Sequence, residues 1–142
     1  MIWESLTHFK REDVKDSKEA LEKILSWSDN LQELDSLIER EKKYSFGIGK
    51  GIVLYKKREK RKGQALSILI ANVPVKYNSF DGVPISVFCF LSSTENKDNH
   101  LKYISRFYRL MNFTTFRENL ISVDSIERIR KLIKKEEESF SV

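Results

Sequence analysis

Cysteine, proline and glycine are scarce in this chain of 142 residues. Its one cysteine, Cys89, cannot form an internal disulfide, and its apolar neighbours predict a buried, reduced thiol. Two prolines and five glycines exclude collagen-like and proline- or glycine-rich low-complexity sequence. No apolar run approaches the roughly 18 residues that cross a bilayer, and the best, Val83 to Leu91, is far too short. Met1 to Phe9 sets Glu4 and His8 among apolar residues, which does not make a signal peptide. The expectation is a cytoplasmic protein without membrane insertion. No two histidines, cysteines or carboxylates have metal-ligand spacing, and no Gly-Lys-Ser/Thr completes a P-loop. Neither a metal nor a cofactor is expected, and His8 and Trp3 are read as packing residues.

What is present is an ordinary globular balance, 40% hydrophobic and 33% charged, in a length that predicts one domain over residues 1–142. The net charge is +5, with 21 acidic residues spread among the 26 basic ones and no basic tail, so charge alone argues weakly for nucleic acid. Asp16-x-x-Glu19 resembles a capping box opening a helix, with Ala20, Leu21, Ile24 and Leu25 on one face. After a break over residues 26–30, a second helix begins at Asn30 and buries Leu31, Leu34, Leu37 and Ile38 up to about Lys43. Strands are predicted at Ile52–Lys56, Ala65–Ala71 and Ile85–Leu91, the last central because it is apolar on both faces. A short edge strand fits between Pro74 and Asp81, and Asp81-Gly82 signals a turn. Ser92–Asn99 reads as a polar loop, followed by helices over Asn99–Met111 and Thr115–Leu120. A last helix opens near Asp124, capped with Glu127, and dissolves in the charged tail Lys134–Glu138. The sum is α/β: a mixed sheet of about four or five strands with helices on both sides.

One stretch looks like a shaped site. Gly47, Gly49 and Gly51 alternate and run straight into the strand Ile52–Lys56. Glycine loses much backbone entropy on folding, so this pattern predicts positive φ or close backbone approach. Beyond it, Lys56 to Lys62 is the densest charge run. It reads as a solvated hairpin or, alternatively, as an anion- or nucleic-acid-binding patch. No aromatic is interleaved in it and no DNA-reading module accompanies it.

Four landmarks in order resemble the type 2 IIA domains of the bacterial phosphotransferase system, the mannitol/fructose and nitrogen-regulatory group. They are Ile38-Glu39-Arg40-Glu41, Gly47-Ile48-Gly49-Lys50-Gly51-Ile52, Phe80-Asp81-Gly82-Val83-Pro84-Ile85, and His100-Leu101 at a helix start. The resemblance covers nearly the whole chain. It implies a domain in which a histidine accepts a phosphoryl group from HPr and passes it to a IIB protein. It places Arg40 at the active-site arginine and His100 at the second histidine, with Gly47, Gly49 and Gly51 as site scaffold. The chain departs from the family at the chemistry, for Tyr55 stands at the family's proline and Lys56 at its acceptor histidine.

That exchange matters because neutral imidazole offers a nucleophilic nitrogen near pH 7, whereas lysine, titrating near 10.4, is almost wholly protonated. The implied function is a IIA-like protein lacking its phosphorylatable histidine, regulatory or protein-binding, with phosphotransferase components or a regulated enzyme or transporter as partners. The alternatives are a phosphocarrier using His100, or less readily Lys56, and a basic nucleic-acid or anion-binding protein. Lys56, Arg40 and His100 are the anion-binding candidates. The cations of the basic run should repel HPr, which in this system presents basic residues to its partners.

Overall fold

The computed structural model describes residues 1–59, 63–94 and 96–140. In chain order the elements are α1 (Ile2–Ser5), β1 (Leu6–Glu12), α2 (Ser17–Trp27), a 3₁₀ turn (Leu31–Glu33), α3 (Leu34–Lys43), β2 (Gly47–Gly49) and β3 (Ile52–Glu59). There follow β4 (Ala65–Val75), β5 (Ile85–Thr94), α4 (Lys97–Met111), α5 (Thr114–Ser122) and α6 (Ile126–Ser139). The five strands form one mixed sheet in the order β1-β4-β5-β3-β2. β5 runs parallel to β3 and antiparallel to β4, while β1 is parallel to β4 and β2 antiparallel to β3.

Period-two alternation divides the strands between two cores. Ile52, Leu54, Val87, Cys89 and Leu91 face α4, α5 and α6 with Phe107, Phe116 and Ile133. Val53, Tyr55, Phe88 and Phe90 face α2 and α3 with Leu21, Leu25 and Leu37. A strand apolar on both faces fits only between two helical layers. β5 accordingly sits at the centre of the sheet, and helices cover both sides.

Several boundaries differ from the sequence reading, each for a local reason. β1 was not expected, because only Leu6 and Phe9 are buried along it and a register shift between Leu6 and His8 breaks the period-two signal. β2 has just three residues. Among the described residues no separate edge strand follows Pro74. Instead β4 continues through that proline to Val75, which pairs with Ile85 past an irregularity in register where no ladder donor is needed. β5 reaches Thr94, and α4 begins at Lys97 under Asn96, whose side chain accepts the Asn99 N–H at 3.1 Å, so the polar loop is shorter than predicted.

The cap of α6 is Ser125, not Asp124. Its hydroxyl accepts the Arg128 N–H at 3.2 Å. The helix does not dissolve at Lys134 but runs on to Ser139, because Glu137 is wholly buried. Its carboxylate accepts the N–H groups of Ile2 and Trp3, at 2.9 and 2.8 Å, and the Arg106 Nε at 2.9 Å. Asp16 does cap α2 as expected, accepting the Glu19 N–H at 2.9 Å. Among the described residues no helix is long and apolar enough to cross a membrane.

Candidate functional site

Lys56 lies in the second half of β3, two residues beyond Leu54, and so projects toward the α4 layer with Arg58. Lys57 turns to the opposite layer and forms an ion pair with Glu33. The parallel register sets Lys56 beside Leu91 and Arg58 beside Ser93. His100 stands in the first turn of α4, where its Nδ1 shares a hydrogen bond with the hydroxyl of the fully buried Ser93. Partial burial, and after it the positive charges of Arg58 and then Lys56, hold the His100 pKa below its ordinary value. The ring is thus biased toward its neutral form by burial and by the two cations.

Arg40 reaches this region from the other layer. Its Nη1 donates to the Lys56 carbonyl at 3.4 Å, and its guanidinium lies 5.5 Å from the centre of the Phe46 ring. Arg40 therefore meets the backbone of Lys56. Neighbouring Glu41 accepts hydrogen bonds from the hydroxyls of Tyr55 and Tyr77. Burial is the main reason that both phenols titrate high, Tyr77 pushed up to about 12. Tyr55 is fully buried and thus a core residue anchored by Glu41.

The glycines build something different. Gly49, Lys50 and Gly51 have φ of 86°, 59° and 79°, forming the turn between β2 and β3, while Gly47 lies in β2 and has no positive φ. A Cβ on Gly51 would lie 2.9 Å from the Pro84 carbonyl oxygen, and one on Gly49 2.8 Å from Cζ of Phe80. The Asp81 carboxylate accepts the Lys50 N–H at 2.7 Å and the Val83 N–H at 3.1 Å, bonds that lower its pKa. The Gly-x-Gly-x-Gly and Asp-Gly-x-Pro landmarks are thus clasped together. They stand at the start of β3, five residues from Lys56, or about 16 Å at the rise of a strand. Beside the turn lies a cavity of about 400 Å³ between Ile48, Ile52 and the end of α4 at Met111 and Asn112.

Of the residues singled out from sequence, Lys56 and His100 therefore share one side of the sheet. Among the described residues Arg40 touches that site at the Lys56 carbonyl, and Gly47, Gly49 and Gly51 lie apart from it. Sequence reasoning held Arg58 only as one member of the basic run Lys56 to Lys62, and it passed over Ser93. Strand alternation from Lys56 would have found Arg58, whereas a serine ending an apolar strand carries no such signal. The basic run is not simply a hairpin, since Lys56, Lys57 and Arg58 belong to β3; Lys60, Arg61 and Lys62 lie outside the described residues. Among the described residues no group of three or more His, Cys, Asp or Glu could hold a metal ion.

The family described as phosphoenolpyruvate-dependent sugar phosphotransferase system, EIIA 2, matches residues 4–136. The chain belongs to this EIIA 2 family. Among solved structures, the nitrogen regulatory protein IIA-Ntr of Neisseria meningitidis is 25% identical, with a TM-score of 0.79 over 93% of this chain and 98% of that one. IIA mannitol of Escherichia coli has the same fold at 14% identity, with a TM-score of 0.70 over 92% of this chain and 96% of that one. The same protein solved in complex with phosphorylated enzyme IIB mannitol gives 12% identity and a TM-score of 0.69, over 93% and 95% of the two chains. A search of curated protein sequences finds no match.

Proposed function

We propose that this EIIA 2 chain has lost phosphoryl transfer and works by binding, as a regulatory or scaffolding partner of phosphotransferase components or of an enzyme or transporter they govern. The observation that carries the reading is Lys56 itself. At the acceptor position it sets an ammonium group beside Arg58 and a neutral His100. An ammonium has no lone pair with which to attack phosphorus. The likeness to a nitrogen-regulatory IIA supports regulation over sugar uptake, and the mannitol IIA solved with phosphorylated IIB supports a protein partner. We place the protein in the cytoplasm, as one domain over residues 1–142.

Incubation with phosphoenolpyruvate, enzyme I and HPr tests this directly. The chain stays unlabelled if the reading holds; an acid-labile, base-stable label on His100 overturns it. A phosphocarrier role for His100 is the second reading, favoured by one observation. Its imidazole is kept neutral, hence nucleophilic, beside two cations that would steady the phosphoryl product.

A further inference from the structure

We propose that Lys56, Arg58 and His100 form a receptor that holds a phosphoryl dianion without covalent transfer. Three features of the architecture support it. The two cations stand two residues apart on one face of a strand that is hydrogen-bonded along its length to the central β5, so their spacing is fixed by the sheet. Neither Lys56 nor Arg58 has a carboxylate partner among the described residues, in contrast to Lys57 with Glu33. The third member is anchored from below, since buried Ser93 engages the His100 Nδ1 and leaves Nε2 as the ring's remaining polar atom.

The charge arithmetic selects the ligand class. Two fixed cations and one titratable ring complement a doubly charged tetrahedral group, with lysine acting as a point charge and arginine as a planar fork. A monoanionic carboxylate would leave one cation uncompensated. A nucleic-acid strand would ask for a longer track of cations interleaved with aromatic platforms, whereas the sequence of the basic run from Lys56 to Lys62 holds no aromatic residue. The charged groups that bear on the ring are Arg58 and Lys56 of β3, and Ser93 of β5 is its neutral partner. A dianion between them reverses their effect on the ring, so binding draws a proton onto Nε2 and converts it to a third donor. The inference rests on the reading that Lys56 is not an acceptor, and it gives that altered position a use.

The experiment is a titration of the 142-residue chain with inorganic phosphate, followed by two-dimensional NMR at constant ionic strength with chloride as control. Saturable shifts centred on Lys56, Arg58 and the His100 ring are expected, with the His100 pKa rising as phosphate saturates. The Lys56→Gln/Arg58→Gln pair should weaken binding at least about tenfold while leaving the rest of the spectrum unchanged. Shifts that chloride reproduces, that do not saturate, or that survive the double substitution overturn the site. Phosphorylated against unphosphorylated HPr distinguishes the source of the group. Tighter binding of the phosphorylated form puts it on a protein side chain, and equal binding puts it on a free small anion. Phosphate failing to bind to a chain that also resists phosphorylation sinks this inference alone. Covalent labelling of His100 sinks the function on which it rests.

Discussion

At the scale of single residues, the His100 environment makes a signed prediction. Its pKa lies below the ordinary value of about 6.5, so the folded state resists protonation there. The stability it contributes is fully present above about pH 6.5 and is lost as pH falls through the lower folded value. Histidine-ring NMR should show His100 titrating below a model histidine, and Lys56→Gln or Arg58→Gln should move it upward. An unmoved midpoint in both variants would mean that the cations do not act on the ring. Lys56→His is more direct still. If that one change lets HPr label the chain, the partner surface has survived and only the reacting atom was lost. Gly51→Ala belongs to the same scale. Positive φ and the Pro84 carbonyl at 2.9 Å predict a loss of about 1–3 kcal/mol in urea unfolding, against a smaller one for Gly82→Ala, where a Cβ meets open space.

At the scale of elements, α6 is tied to the beginning of the chain by one carboxylate. Glu137, itself wholly buried, satisfies two otherwise unpaired N–H groups at the start of α1 and binds the Arg106 side chain, which remains partly open to water. Truncating Glu137 leaves the Ile2 and Trp3 N–H groups without their acceptor, and a buried polar group left unpaired typically costs about 1–3 kcal/mol. Glu137→Ala should therefore destabilise the fold by about that much in denaturant, with hydrogen exchange at Ile2 and Trp3 losing protection first. Equal loss of protection throughout the chain would argue against a local clasp. Ser125→Ala, which removes only a helix cap, should cost about 1 kcal/mol.

At the scale of the whole molecule, the two cores share the central strand. Phe88 and Phe107 are each fully buried, one in either layer, and truncation to alanine should cost about 3–5 kcal/mol at each position. Cys89 is buried in the same layer as Phe107 and its thiol pKa is pushed up by burial, so a thiol reagent should modify it only as fast as the fold opens. The sequence disclosed this architecture from its middle outward. β5 was legible because six of the seven positions from Ile85 to Leu91 are apolar, Ser86 being the exception, and a strand so composed has to be central. The margins were not, since β1 carries a register shift and polar residues, and Glu137 hides a structural carboxylate in a run that reads as solvent-facing. The site was half legible. Lys56 and His100 stood out by type and position, whereas the separation of the glycines from them is a matter of strand length.

Arg40 gives the sheet a further property. Among the described residues, the last backbone bond on the outer side of β3 is the one the Leu54 N–H donates to the Phe46 carbonyl at 3.0 Å, so beyond Leu54 that side is a strand edge without a partner strand, and it ends in a row of cations. Exposed edges template the addition of foreign strands, and proteins commonly blunt them with charge. The Arg40 guanidinium, hydrogen-bonded to the Lys56 carbonyl, occupies the acceptor that an incoming strand would use. With that acceptor freed, Arg40→Ala should raise the rate of concentration-dependent oligomer formation in light scattering while leaving the monomer fold intact.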